Sequence, residues 1–175
     1  MAPRDSDTEN FVSTLLADRL SSFQNSNCAK VFEEAGVNVD RYLKTASDTR
    51  YYDVRPSGKY SSLTQDQVVG NKLKVRLSES VPYGDDAATI KGPLGSAVLL
   101  AANFRGTKAI LDQLEPAELQ AFKRGQVNTL QHEALHAYGL SDEQIFKNEE
   151  FQKHGLAKVN PGTSDISDWL GRDCT

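Results

Sequence analysis

Residues 132–136 of this chain read His-Glu-Ala-Leu-His, and Gly139 follows three residues after the second histidine. In an α-helix, residues four apart lie on one face about one turn apart, so His132 and His136 can bind the same cation. Glu133 then lies beside that cation, where its carboxylate can accept a proton from a metal-bound water. The spacing therefore requires a helix that ends near Gly139, and it predicts a metal site with its own general base.

The stretch from His132 to Asp142 has the form HExxHxxGxxD, which resembles the zincin metallopeptidases and, through its glycine, their metzincin branch. In metzincins the glycine lets the helix end and turn, so that a third ligand three residues later reaches the metal. That ligand is usually histidine, and here the position is Asp142, as in the snapalysin-like minority. The resemblance covers eleven residues of 175, and because the single methionine is Met1, the chain has no Met-turn.

The resemblance implies a zinc-dependent metalloendopeptidase of zincin-like α+β fold that hydrolyses a peptide or protein substrate. It implies Zn²⁺ bound by His132, His136 and Asp142, with the fourth coordination position left for water. Zinc lowers the pKa of that water and polarises the scissile carbonyl, while Glu133 passes the water's proton to the leaving amine. The alternative function is a non-catalytic zincin-like module that binds metal and acts in protein binding or regulation.

The third ligand stays open on the sequence alone. Residues 141–144 also have the S-x-x-Q form of a capping box, and the helix dipole favours an acid such as Asp142 in a first turn without any metal. His154 is explained more simply as a C-terminal helix cap. The downstream competitors for the ligand role are Glu149, Glu150, His154 and Asp165. The donors open for the oxyanion are Tyr60, Tyr83 and Tyr138.

Hydrophobic spacing and turn residues predict helices first, then a small mixed sheet, then the metal-site helix and a short C-terminal helical part. The predicted helices lie at about 7–24, 27–36, 38–46, 116–138 and 142–153. The predicted strands lie at 51–54, 72–78 and 96–104, with a long surface loop at 80–95. The continuous apolar run at 96–104 also suits a buried helix segment, and a strand is favoured.

Within the 116–138 helix, a projection at 100° per residue places His132 and His136 with Gly125 and Thr129 on a face apart from the apolar stripe. This predicts one side on a core and the other on a cleft. In zincins an edge strand above that helix pairs with extended substrate, so the resemblance implies this role for 72–78 or 96–104. By length the chain is one domain, 1–175, with an upper part at about 7–138 and a lower part at 139–175.

Charge and hydropathy exclude two classes of partner. The net charge of −4 and the pI near 5.4 have the wrong sign for a phosphate-binding surface, which argues against nucleic acid. No apolar run approaches the ~18 residues of a membrane helix, which argues against a membrane partner. The sequence holds no indication of oligomeric state.

The two cysteines, Cys28 and Cys174, lie near opposite ends of the chain. An even pair in this arrangement favours one disulfide, and a disulfide predicts a secreted or periplasmic protein. The first ten residues are polar and show no signal peptide, so a cytoplasmic location is the alternative.

Overall fold

The computed structural model of the protein describes residues 2–156 and 163–172. The fold is α+β, as predicted, with many helices and a small mixed sheet of three strands. The chain forms two compact units: unit 1 holds the described residues within 1–14 and 49–121, and unit 2 those within 15–48 and 122–175. The single zincin-like domain, with an upper part at 7–138 and a lower part at 139–175, stays a prediction.

The helices are α1 (Ser6–Ser22), α2 (Asn27–Glu34), α3 (Val39–Asp48), α4 (Gln65–Val69), α5 (Ala102–Arg105), α6 (Lys108–Leu111), α7 (Pro116–Tyr138), α8 (Asp142–Lys147), α9 (Glu149–Lys153) and α10 (Thr163–Arg172). The strands are β1 (Arg50–Asp53), β2 (Ala87–Gly92) and β3 (Gly95–Leu100), and 3₁₀ turns cover Phe23–Asn25 and Leu77–Glu79. The first three predicted helices and the predicted 116–138 helix are confirmed.

The predicted 142–153 helix is divided at Asn148. This residue ends α8, and its side-chain oxygen accepts hydrogen bonds from the backbone amides of Glu150 and Phe151, both at 3.1 Å. Asparagine competes for backbone groups in this way at helix starts, so one predicted helix becomes two.

In unit 1 the strand order is β1-β3-β2, with β1 parallel and β2 antiparallel to β3. The predicted strand at 51–54 is confirmed as β1. The one at 96–104 is confirmed as β3 up to Leu100, and Ala102–Arg105 form the short helix α5 instead. Residues 97–100 of β3 are buried, as a continuous apolar run in a central strand requires. Because β3 has a partner on both sides, it is not the substrate-pairing edge that was predicted for 96–104.

The strand predicted at 72–78 is wrong, and so is its alternative role as a substrate edge. Leu73 and Val75 are 50% and 40% exposed. Their carbonyls accept hydrogen bonds from the backbone amides of Asp66 and Gln65, each at 2.9 Å. The first amides of a helix have no partner inside it, so this segment is held by capping the start of α4 rather than by a sheet.

The loop predicted at 80–95 is wrong in its second half. Residues 87–92 form β2, and Gly92 to Gly95 close a tight hairpin onto β3. Of the Gly and Pro residues that suggested a long loop, Gly92, Pro93 and Gly95 belong to this turn, whereas Pro82 and Gly84 precede β2. A Cβ built on Gly92 would lie 2.1 Å from the carbonyl oxygen of Val69, so the close approach of the two backbones requires glycine there.

We expect Gly92→Ala to lower the free energy of unfolding by about 1–3 kcal/mol, because the backbone of Val69 must move away from the new methyl group. Gly125→Ala is the matched control. It lies inside α7, a Cβ added there meets no described atom within 4 Å, and alanine favours a helix over glycine by about 0.5–1 kcal/mol. Urea unfolding of both variants measures the difference, and a Gly92→Ala protein as stable as the control would contradict this account.

Unit 2 has an aromatic core that holds the C-terminal half of α7. Phe32 lies 5.8 Å from Phe151 between ring centroids, and Phe151 lies 5.0 Å from Trp169. Ala134 and Leu135 of α7 belong to the same buried cluster. The helix that carries the two histidines is therefore fixed by packing within this unit.

Among the described residues, no helix is long and apolar enough to span a bilayer. The predicted disulfide pairs Cys28 with Cys174, and Cys174 lies outside the described residues. The secreted or periplasmic location that follows from this bond stays a prediction.

Candidate metal centre

Gly139 ends the helix that carries the histidines. Its φ is +134°, a conformation that a side chain disfavours, and its backbone amide donates to the Leu135 carbonyl at 3.1 Å. The amide of Leu140 donates to the same carbonyl at 3.0 Å. The last carbonyls of α7 are thus satisfied within a tight turn, and the chain reverses toward the histidines.

Ser141 begins the next helix with the predicted capping box, which is confirmed. Its side chain accepts from the Gln144 amide at 3.2 Å, and the Gln144 side chain accepts from the Ser141 amide at 2.8 Å. This reciprocal pair fixes the backbone on both sides of Asp142. Asp142 is therefore the first residue of α8, in a fixed position.

The side chains of His132, His136 and Asp142 converge on one point. Asp142 Oδ1 lies 2.8 Å from His132 Nε2 and 2.9 Å from His136 Nε2. The two imidazole centroids are 4.7 Å apart. A single carboxylate oxygen thus faces both ring nitrogens, which is the arrangement predicted for three ligands of one ion.

The protonation of His136 follows from its other ring nitrogen. Nδ1 lies 2.7 Å from the Leu140 carbonyl oxygen, which can only accept, so Nδ1 carries a proton. In a neutral ring Nε2 is then an acceptor, and it faces a second acceptor on Asp142 at 2.9 Å. Two acceptors at this distance repel, so the geometry requires a proton or a metal cation between them.

Sequence reasoning missed Ser167, which lies on α10. Its Oγ lies 3.2 Å from His132 Nδ1, so the hydroxyl can orient that ring as the Leu140 carbonyl orients His136. Ser167 is separated from His132 by 35 positions, and no motif includes it. Only the packing of α10 could have revealed it.

The donor set fits a tetrahedral metal ion after a small expansion. Ligands at ordinary Zn–N and Zn–O lengths lie about 3.3–3.5 Å from one another in a tetrahedron, about 0.5 Å more than the distances from Asp142 to the two rings. Ligand atoms of His132, Glu133 and His136 also lie within 4.8 Å of one another. These residues form a group that could hold a metal ion, and Glu133 belongs to it.

The site lies on the buried half of α7, which differs from the predicted cleft face. Residues 130–135 are all buried, whereas most of 116–125 is exposed. His132 is 5% exposed and Glu133 is 6% exposed. From 130 to 135 the helix is therefore buried around its whole circumference, whereas His136 is half-buried, so the separation of a polar face from an apolar stripe does not hold in this part of the helix.

Two pKa shifts describe the electrostatics of the site. Hydrogen bonds from His132 and His136 hold the pKa of the Asp142 carboxyl well below its usual range, despite partial burial. Burial alone would lower the pKa of His136, but its hydrogen bonds to Asp142 and Leu140 and the charge of Glu133 raise it. Without metal, the centre therefore favours a carboxylate beside a protonated imidazole.

The downstream competitors do not join this group. Glu149 is exposed on α9, and Asp165 lies in the first turn of α10. Glu150 and His154 converge instead with Glu34, in a second group of the described residues that could hold a metal. His154 is the C-cap of α9, as predicted.

The three tyrosines proposed as oxyanion donors have different surroundings. The Tyr138 hydroxyl accepts from the Asn38 amide at 2.9 Å, and the Arg41 guanidinium lies 4.1 Å from its ring centroid. In unit 1, Tyr60 packs edge-on against Tyr52, and Tyr83 is fully exposed. Tyr138 thus has a structural role at the start of α3.

Comparison with known protein families, with curated proteins and with solved structures finds no match for this chain. The interpretation of the metal centre therefore depends on its own residues and geometry.

The raised pKa of His136 predicts how zinc binding depends on pH. In the metal-free protein, the stabilisation from a raised pKa is present at low pH and is lost as the pH rises through that pKa. Zinc must displace the same proton, so below that pKa its apparent affinity falls by about tenfold per pH unit for each proton released. We therefore expect the zinc-induced rise in Tm to be larger at pH 8 than at pH 6.

Thermal melts with and without one equivalent of zinc measure this effect, and calorimetry in buffers of different ionisation enthalpy counts the protons released. His136→Ala serves as the control, because it removes the titrating ring. An equal zinc-induced shift at both pH values, with no proton release, would contradict the assignment.

Proposed function

We propose that this chain is a zinc-dependent peptidase of zincin-like fold in which Glu133 is the general base. The observation that carries the proposal is the meeting of His132 Nε2, His136 Nε2 and Asp142 Oδ1, at 2.8 and 2.9 Å, with Glu133 one residue from the first ligand. Either a proton or a metal cation must lie between Asp142 Oδ1 and His136 Nε2, and a divalent ion meets this need without forming an imidazolium.

Zinc is the metal that suits this donor set. Two imidazole nitrogens and one carboxylate oxygen form a ligand combination found in catalytic zinc sites, where three protein ligands leave one position for water or substrate. His136 Nδ1 donates to the Leu140 carbonyl, and Ser167 lies beside His132 Nδ1, so both Nε2 atoms are directed to the ion. When bound, zinc would lower the pKa of a water molecule and polarise a peptide carbonyl.

Glu133 is suited to proton transfer by its position beside the ligands. Its carboxylate oxygen lies within 4.8 Å of the ligand nitrogens of both histidines, and the side chain is buried. A carboxylate there can accept a proton from a water molecule and hand it to a leaving amine nitrogen. Because Glu133 is buried, bulk water has little access to its carboxylate. The carboxylate would therefore exchange protons mainly with the water molecule that zinc would bind.

The alternative is a metal-binding module of the same fold that does not cut. One observation favours it, which is that His132 and Glu133 are 5% and 6% exposed. A peptide bond must reach both the ion and Glu133 to be hydrolysed. Zinc binding without hydrolysis would therefore select this alternative over the peptidase.

Glu133→Gln tests the catalytic role. We expect the variant to bind zinc with wild-type stoichiometry and to lose about 10²–10⁴-fold in hydrolysis of a fluorescently labelled unfolded protein, because it removes the base but no ligand. His136→Ala should lose both the zinc of the His132 group and the activity. Glu118→Gln, in the exposed first turn of the same helix, is the matched control and should keep both. Full activity in Glu133→Gln would refute the mechanism.

Asp142→Ala tests the third ligand. The loss of a residue that only supports a ligand lowers metal affinity by about 10- to 100-fold. Asp142 is proposed to contact the ion directly, so we expect Asp142→Ala to lower zinc affinity by at least that factor. Glu143→Gln is the control, since Glu143 is the next residue and pairs with Lys147 at the surface. If Asp142→Ala bound zinc with unchanged affinity, Glu133 would be the third ligand. It could then not act as the general base.

A further inference from the structure

A second group of metal-ligating side chains lies in unit 2, apart from the His132 group. Glu150 lies on α9, His154 is the C-cap of that helix four residues later, and Glu34 is the last residue of α2. One ligand atom from each lies within 4.8 Å of the others, and His154 Nε2 is 3.2 Å from Glu34 Oε2. Two helices thus supply an imidazole and two carboxylates to one point.

The backbones that carry these three residues are fixed on both sides. The Phe32 and Phe151 rings of α2 and α9 pack at 5.8 Å, and Asn148 Nδ2 donates to the Ala35 carbonyl at 3.1 Å. Trp169 Nε1 donates to the His154 carbonyl at 2.9 Å. Because packing and hydrogen bonds already hold both helix ends, little ordering is needed for the three side chains to bind one ion.

The local charge favours a cation. Glu34 and Glu150 bring two carboxylates to the group, and one of them has a described cationic partner: Lys153 Nζ lies 2.8 Å from Glu150 Oε1. That ion pair is exposed, so it contributes little and a bound ion can replace it. The pKa of Lys153 is raised, first by its hydrogen bond to Glu150 and in smaller part by Glu149 and Glu34, which agrees with a negative potential there.

We propose that Glu34, Glu150 and His154 form a second site for a divalent metal ion, which joins α2 to α9. One imidazole nitrogen with two carboxylate oxygens suits Zn²⁺, and the partial exposure of the group leaves the other positions to water. Binding replaces the contact between His154 and Glu34 by two bonds to a shared ion. The site is independent of the proposed peptidase function, since none of its residues belongs to the His132 group.

The test uses Zn²⁺ alone with the full chain. With only three histidines in the sequence, each imidazole can be assigned in nitrogen NMR spectra by single substitutions. We expect the first equivalent of zinc to shift His132 and His136, and the second to shift the His154 ring with saturation near one further equivalent. Calorimetry should show two steps, with the exposed site the weaker.

Glu34→Gln and His154→Gln should each weaken the second step by tenfold or more and leave the first unchanged. Glu149→Gln is the matched control, since it is exposed on the same helix but outside the group, and it should bind as wild type does. In His136→Ala the His154 signals should still respond, which separates this site from the peptidase centre. His154 signals that stay unchanged through two equivalents, or equal binding by Glu34→Gln and Glu149→Gln, would overturn the proposal.

Discussion

The metal centre in unit 2 depends on the contact of one Asp142 oxygen with two imidazole nitrogens. The Leu140 carbonyl places a proton on His136 Nδ1, so Nε2 and the carboxylate oxygen confront each other as acceptors at 2.9 Å. Such a contact persists only with a positive species between the partners. Every local feature of the chain from 132 to 142 brings those atoms together: the four-residue spacing, the turn at Gly139 and the capping box at Ser141.

Asp142 reconciles two explanations that compete on the sequence alone. A capping box accounts for an acid in the first turn of α8 without any metal, and a ligand accounts for it without any helix. In the structure the capping box makes the ligand role possible, because it fixes the backbone of Asp142, whose side chain faces both histidines. The low pKa of the Asp142 carboxyl keeps it ionised and therefore able to bind a cation at any ordinary pH.

Local signals allowed the metal-site helix and the two buried strands to be predicted, although the apolar run at 96–104 suits a buried helix segment as well as a strand. The alternation at 72–78 has two explanations: it suits a strand, and it also suits a segment whose Leu73 and Val75 carbonyls cap α4. The contacts of Ser167 and of the Leu140 carbonyl could not be predicted from the sequence. Ser167 reaches His132 only through the packing of α10, which is distant in sequence. The Leu140 contact is made by a backbone carbonyl, which every residue has.

The two groups that could hold a metal differ in burial, and this difference separates their expected chemistry. His132 and Glu133 are almost fully buried, so a charge there interacts strongly with any ion and an unbalanced charge is costly. Around Glu34 and His154, water competes for the same carboxylates. An ion in the buried group can therefore polarise a substrate and shift the pKa of a bound water, whereas an ion in the exposed group mainly links two helices. In the two proposals, burial rather than ligand type therefore distinguishes a group suited to chemistry from one suited to stabilisation.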